Sequence, residues 1–268
     1  MRRAPSRLAM VLLLSGTAAH AAQSAPQQTP PPQSYPQSSQ SHASPSEAAP
    51  LNAQLALEYL RRGDLESARD KIEKALAQDP HKADTQMAAG LVFERLGDQR
   101  KARSHYEEAA RLGKDDPRIL NTVGVFYCRN GERKRGEEYF VRAAGSPLYR
   151  TPEVAYTNAG QCAEDDGRPK EAEQYFRKAL AARPDFTEPL LHLAELEHRS
   201  GNDLSARAFL QRYLSLGPAT PSILMLGVQI ERGMGDAIQA EAYARRLRNE
   251  FPNSEEAAKL LDEERAKP

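Results

Sequence analysis

Six glycines recur along this chain at a nearly constant spacing, which constrains its fold more than any other feature. The spacing is 34 residues, apart from one interval of 36. A fixed period of this length indicates stacked copies of one small unit, each packing against its neighbours. The recurring residues are Gly63, Gly97, Gly131, Gly167, Gly201 and Gly235.

Other columns keep the same period, and their residue types indicate a pair of amphipathic helices in each unit. The first helix carries a small residue at Ala56, Gly90, Gly124, Gly160 and Ala194. The second helix carries another at Ala68, Ala102, Gly136, Ala172, Ala206 and Ala240. Four residues later comes a packing residue at Ile72, Tyr106, Phe140, Phe176, Leu210 and Ala244. This is the tetratricopeptide pattern.

The sequence therefore predicts an all-α fold, a superhelical α-solenoid of six tetratricopeptide repeats with a C-terminal capping helix. The repeats are predicted near 49–82, 83–116, 117–150, 153–186, 187–220 and 221–254, and the cap at 254–266. Each periodic glycine is expected to adopt a left-handed conformation between paired helices. Four polar residues after these glycines are expected to cap the second helix: Asp64, Asp98, Asn202 and Asp236.

The first fifty residues differ in composition from the repeats. Residues 1–21 combine three arginines with a short apolar run and the ending Ala19-His20-Ala21, a pattern typical of a secretory signal. Residues 22–49 are rich in Pro, Gln and Ser and are predicted to form a disordered linker before the repeat domain at 50–268. Thr17 stands where a bacterial lipoprotein would carry its lipidated cysteine, so no lipid anchor is expected.

Charge and motifs argue against several function classes. Basic and acidic side chains number 37 each, and the predicted mature chain has a small acidic excess, which disfavours nucleic acid as a partner. No phosphate-binding loop or nucleophile elbow is present. His192, Glu195 and His198 lack the spacing of a helical zinc motif. We therefore expect no enzyme activity, no cofactor and no metal site.

The two cysteines, Cys128 and Cys162, fall on the first helices of neighbouring repeats. In an oxidising compartment they could form a disulfide. A disulfide needs α-carbons within about 7 Å, whereas neighbouring helix axes lie about 8–10 Å apart. Two unbonded, packed thiols are the alternative.

The first helices are expected to line the concave face, which is the candidate partner-binding surface. One column of that face is apolar in the first three repeats and polar afterwards. An apolar concave strip would suit an extended or helical protein segment. The alternative is that these apolar side chains are core. The predicted binding residues are Leu57, Leu60, Met87, Leu91, Asn121, Val125 and Arg129.

The repeat domain resembles the type IV pilus biogenesis and stability family, called PilF or PilW. The third of four matching stretches is the most specific, because it contains the irregular junction between repeats three and four. The stretches are LALEYLRRGDLESARDKIEKAL (55–76), ILNTVGVFYCRNGE (119–132), SPLYRTPEVAYTNAGQC (146–162) and EAEQYFRKAL (171–180).

The resemblance implies a non-catalytic helper of pilus assembly, similar to the pilotins that promote assembly of the outer-membrane secretin. The implied partner is a secretin subunit or another pilus-assembly component. The implied location is the periplasm, where the protein would be peripheral to the outer membrane. Family members in this role are often lipoproteins, and Thr17 departs from that pattern. The alternative is a generic periplasmic tetratricopeptide scaffold for another envelope complex.

Overall fold

The computed structural model describes residues 45–265, which form thirteen α-helices and no strand. Within this range, no helix is both long and apolar enough to cross a membrane. The helices are α1 Pro45–Arg61, α2 Leu65–Gln78, α3 Ala83–Arg95, α4 Gln99–Leu112, α5 Pro117–Arg129, α6 Arg133–Ala144, α7 Pro152–Asp165, α8 Pro169–Ala182, α9 Thr187–Arg199, α10 Asp203–Leu216, α11 Pro221–Gly233, α12 Ala237–Glu250 and α13 Glu255–Arg265.

Consecutive helices pair into six repeats, from α1 with α2 to α11 with α12, and α13 packs on the last pair. In the N-terminal part, first helices also contact one another: α1 packs on α3, α3 on α5 and α5 on α7. This arrangement places the first helices on the inner side of a solenoid. The predicted all-α repeat fold with a capping helix is confirmed.

The turns within the repeats follow from the periodic glycines, which all have positive φ between +70° and +83°. A residue with a Cβ rarely adopts this conformation. Asp64, Asp98 and Asp236 accept hydrogen bonds from backbone N–H groups in the first turn of the following helix, as predicted. Asn202 was wrongly predicted to do the same; its amide donates instead to the Glu197 carboxylate at 2.7 Å.

Packing between paired helices explains where glycine replaces alanine in the small column. A Cβ added at Gly90 would lie 2.7 Å from the Tyr106 ring, and one at Gly160 would lie 2.5 Å from Phe176. At Ala194 the buried cluster contains the smaller Leu210, which leaves room for a methyl group. The small column therefore tracks the size of the side chain that it faces.

Repeat six departs from the predicted columns by one residue. The close approach there joins Gly227 to the Tyr243 ring, with an added Cβ at 2.8 Å from it. The predicted packing residue, Ala244, is buried, but the side chain that packs against the first-helix glycine is that of Tyr243, one residue earlier. The aromatic ring at Tyr243 selects the glycine at 227, just as Tyr106 selects Gly90.

The N-terminal boundary also differs from the prediction. Helix α1 begins at Pro45, whereas the linker was predicted to continue to residue 49. A proline at the first helical position loses no backbone hydrogen bond, so Pro45 can start the helix. Pro50 lies inside α1 rather than at its start. The predicted signal at 1–21 and the linker before Pro45 lie outside the described residues.

Candidate partner-binding surface

The first column of the concave face has the same degree of burial in every repeat. All six of its members are half-buried, whether apolar or polar. A preceding position of the same helices, occupied by Ala56 and Gly90, is fully buried. We call this set the first concave column: Leu57, Leu91, Val125, Gln161, Glu195 and Gln229.

A second concave column, three residues further along each helix, behaves in the same way. Its members are also half-buried throughout the solenoid. They are Leu60, Glu94, Cys128, Glu164, His198 and Arg232. The two columns are therefore a continuous, partly exposed surface along the first helices.

The apolar members of the columns combine the two roles that the sequence left open. Leu57, Leu60 and Leu91 pack against the buried cluster of the first three repeats, and Val125 packs against the next cluster. Each side chain nevertheless keeps an exposed fraction. One side of each residue thus belongs to the core, and the other is available to a partner.

Two of the predicted residues, Leu57 and Met87, line a pocket between α1 and α3. Its volume is about 370 Å³. Ala53 and Ala88 contribute further apolar wall. Charged and polar groups surround this lining: Gln54, Lys82, Asp84 and Arg118. The pocket is an apolar concavity with a polar rim, which suits an apolar side chain of a protein partner.

Three other predicted residues lie near a second, smaller pocket of about 180 Å³. Val125 and Arg129 line it together with Asn158 and Gln161. Asn121 lies beside this region, and its side-chain oxygen accepts a hydrogen bond from Asn158 at 3.0 Å. These residues mark the change from the apolar to the polar part of the concave face.

The polar part is organised around His192. Its Nδ1 lies 3.1 Å from a Glu164 carboxylate oxygen, its Nε2 lies 3.1 Å from the Gln161 amide nitrogen, and its ring stacks on Phe176. Burial alone would raise the pKa of Glu164, but hydrogen bonds from His192 and Arg199 hold it below the usual value. The polar groups around His192 therefore satisfy one another.

The two cysteines are joined in the structure by a Cys128–Cys162 disulfide, with α-carbons 5.8 Å apart. The approach is closer than the general axis spacing suggested, because α5 and α7 are in direct contact here. Cys162 is buried, while Cys128 is half-buried and lines the second pocket. The bond links repeats three and four at the boundary between the two parts of the face.

Among residues 45–265, no group of three or more metal-binding side chains comes together. His192 contacts Glu164, whereas His198 contacts Asp203 with Nδ1 2.5 Å from a carboxylate oxygen. These two histidines therefore have separate partners. The concave face offers hydrogen-bonding groups and apolar contacts.

Sequence reasoning missed several residues that line the pockets. Gln54 belongs to α1 but to neither predicted column, and Lys82 lies in a connection between repeats. Asn158 lies within the irregular interval of 36 residues between Gly131 and Gly167, and it also belongs to neither predicted column. Gln54 and Asn158 occupy the same position of their repeats, so a third concave column at that position would have identified both.

Comparison with known proteins agrees with this architecture. Models of the tetratricopeptide repeat match residues 54–117, 127–185 and 163–230. A type IV pilus assembly protein, PilF of Pseudomonas aeruginosa, is 29% identical over 204 residues, which cover 75% of this chain and 80% of PilF.

Two solved structures extend the comparison. A structure of Pseudomonas aeruginosa PilF is 26% identical, has a TM-score of 0.67, and is matched over 99% of its length by 82% of this chain. A structure of PilW, described as a widely conserved type IV pilus biogenesis factor, is 30% identical with a TM-score of 0.68. That match covers 80% of this chain and 99% of PilW. This chain belongs to the tetratricopeptide-repeat proteins and, among them, to the family of PilF and PilW.

Proposed function

We propose that this protein is a non-catalytic scaffold in type IV pilus biogenesis that binds a secretin subunit and promotes assembly or stability of the outer-membrane secretin or the pilus. The observation that carries the proposal is the half-exposed apolar surface of repeats one to three. The similarity to PilF and PilW supports the choice of process.

The apolar surface has the features of a peptide-binding groove. Leu57, Leu91 and Val125 succeed one another along the first helices of adjacent repeats, and each keeps an exposed fraction. The pocket at Leu57 and Met87 adds a concavity for one larger apolar side chain. A partner segment that lies along α1, α3 and α5 would remove apolar surface from water. Such burial is favourable by about 25 cal/mol of free energy per Å².

The proposed location is the periplasm. The signal-like sequence at 1–21 supports export, and the Cys128–Cys162 bond suits an oxidising compartment. The repeat domain would then meet the periplasmic part of a secretin subunit.

The proposal is tested by the state of the secretin in envelope fractions, separated by gel electrophoresis in mild detergent. Deleting the gene should remove the secretin multimer, and the wild-type chain should restore it. Leu91→Glu should fail to restore it, because a carboxylate in the apolar strip would be desolvated when the partner binds.

Gln229→Glu is the matched control, since it places the same carboxylate at the equivalent half-buried position of repeat six. This variant should restore the multimer fully. An unchanged multimer in the deletion strain would refute the secretin role and favour a scaffold for another envelope complex. Restoration by Leu91→Glu at normal protein abundance would refute the proposed binding strip.

A further inference from the structure

The connection between α6 and α7, residues 145–151, differs from the other connections between repeats. It is seven residues long, whereas the equivalent connections at 79–82, 113–116, 183–186 and 217–220 each have four. We call it the junction loop. It contains Leu148, whose side chain is 78% exposed.

Leu148 is exposed on a loop that is held in place by its own backbone hydrogen bonds. The Tyr149 N–H donates to the Ser146 carbonyl at 3.0 Å, and the Ser146 N–H donates to the Ala143 carbonyl at 3.1 Å. Tyr149 is half-buried and packs against the core cluster of repeats three and four. The loop therefore directs one large side chain inward and holds its neighbour, Leu148, outward.

Leu148 lies between two depressions with volumes of about 570 and 500 Å³. Both are also lined by Asp115, from the connection between α4 and α5, so they adjoin across the two loops. We call this combined region the junction valley. It is lined by residues 114–118, Leu120, Arg142 and residues 145–151.

The junction valley has an excess of positive charge. Arg118 is engaged by Asp116 and Asp84, with nitrogen–oxygen distances of 2.8 and 3.3 Å. Lys114 and Arg150 are exposed and form no ion pair within residues 45–265. Arg142 is also exposed and donates to a backbone carbonyl, that of Lys114.

Only one carboxylate in the valley, that of Asp115, remains without an ion pair in the described part of the chain. Three cationic groups of the lining, those of Lys114, Arg142 and Arg150, therefore outnumber this one free carboxylate. A partner that brought further positive charge would be repelled, whereas one with carboxylates would be attracted. The exposed leucine adds an apolar contact at the centre of this charged surface.

We propose that the junction valley is a second protein-binding surface, which takes an extended segment carrying acidic side chains beside a large apolar residue. Leu148 would contact the apolar side chain, and Arg150 and Lys114 would pair with the carboxylates. This surface lies at the connections between repeats, outside the two concave columns. It goes beyond the proposed function, because it would let the scaffold hold a second segment.

The test uses the purified protein and a fluorescent peptide of sequence GSDELFEDLSGS, with binding followed by fluorescence anisotropy at low salt. The counterpart GSKKLFKKLSGS should bind at least about tenfold more weakly because its charge is reversed. Leu148→Ser should weaken binding of the acidic peptide about tenfold, which is the size expected for losing one apolar contact. Arg150→Glu should weaken it similarly.

Leu204→Ser is the matched control, because Leu204 is also strongly exposed but belongs to repeat five. It should leave binding unchanged, as should Leu91→Glu in the concave strip. Equal binding of the two peptides, or equal losses in Leu148→Ser and Leu204→Ser, would overturn the proposal. So would the absence of binding, loss of binding in Leu91→Glu alone, or a dimer in sedimentation that Leu148→Ser disrupts.

Discussion

The two halves of the concave face share one backbone arrangement but present different chemistry. In repeats one to three the first concave column carries Leu57, Leu91 and Val125, and in the later repeats Gln161, Glu195 and Gln229. All six are half-buried. The difference lies in what each surface leaves unsatisfied.

In the polar half, the polar groups around His192 are paired with one another. His192 contacts Glu164 and Gln161, and Gln161 also donates to Glu188 at 2.9 Å. The apolar half has no equivalent way to satisfy itself, since an exposed leucine gains only by being covered. The comparison teaches that the buried columns specify the solenoid, while the half-buried columns are free to specify a partner.

The largest expected effect is on the bond that joins the two halves. Reducing Cys128–Cys162 should lower the free energy of unfolding by about 3–4 kcal/mol, because the bond closes a long loop in the unfolded chain. Urea unfolding with and without reductant measures this change. A Cys128→Ser/Cys162→Ser variant should match the reduced protein and be insensitive to reductant. An identical urea midpoint in both conditions would contradict this prediction.

A smaller effect tests, in two repeats of the polar half, the packing rule that the first helices follow. Gly160→Ala should lower the free energy of unfolding by about 1–3 kcal/mol, because its methyl group would overlap the Phe176 ring. The converse change, Ala194→Gly, faces Leu210 and should cost only about 1 kcal/mol of helix propensity. Thermal unfolding compares the two variants. Equal costs would show that the facing aromatic does not select glycine.

Surface substitutions should separate the halves by function rather than by stability. Leu91→Glu should cost about 1 kcal/mol in the free energy of unfolding, because only part of the side chain is buried. Gln229→Glu should change it by less than about 0.5 kcal/mol. Circular dichroism with urea unfolding checks both values. Unfolding of Leu91→Glu would identify Leu91 as core and remove the binding interpretation.

The smallest expected effects are changes of stability with pH, one in each half of the solenoid. His105 stacks on Phe93 and contacts the neutral Gln86 side chain at 2.7 Å, and burial lowers its pKa below 6.5. The unfolded chain therefore takes up the proton first, and stability should fall as the pH drops below about 6.5. His105→Gln should flatten the pH dependence of urea unfolding in that range.

Glu164 gives the corresponding effect in the polar half. Its pKa lies below the usual 4.5, so its contribution is present above that value and is lost as the pH falls through the lowered pKa. Glu164→Gln should therefore lower the free energy of unfolding at neutral pH. It should also remove the loss of stability that the wild type shows as the pH falls below about 4.5, measured by urea unfolding. A loss between pH 7 and about 5 that persists in His105→Gln would contradict the assignment to His105.

Much of the fold was predictable because its determinants are local and repeated. The glycine period gave the six left-handed turns, and the small columns gave the paired helices. Asp64 could be recognised as a cap from its position alone. Asn202 could not, because its amide is drawn to Glu197 by a hydrogen bond that only the folded repeat provides.

The candidate site was predictable only in part. The period assigns Leu57 and Leu91 to one face, but their half burial depends on how closely α1, α3 and α5 approach one another. The pocket at Met87 and the junction valley arise between elements distant in sequence, including Arg118 and Leu148. The repeat period predicts the structure of one repeat, but it does not predict the pockets that form between repeats.

The most direct test of the account is calorimetric titration of the purified secretin subunit into three forms of this protein: wild type, Leu91→Glu and Gln229→Glu. The account predicts that Leu91→Glu weakens binding at least about tenfold, while Gln229→Glu binds like the wild type. Equal affinities for all three forms, or a loss confined to Gln229→Glu, would contradict the claim that the apolar half of the concave face holds the partner.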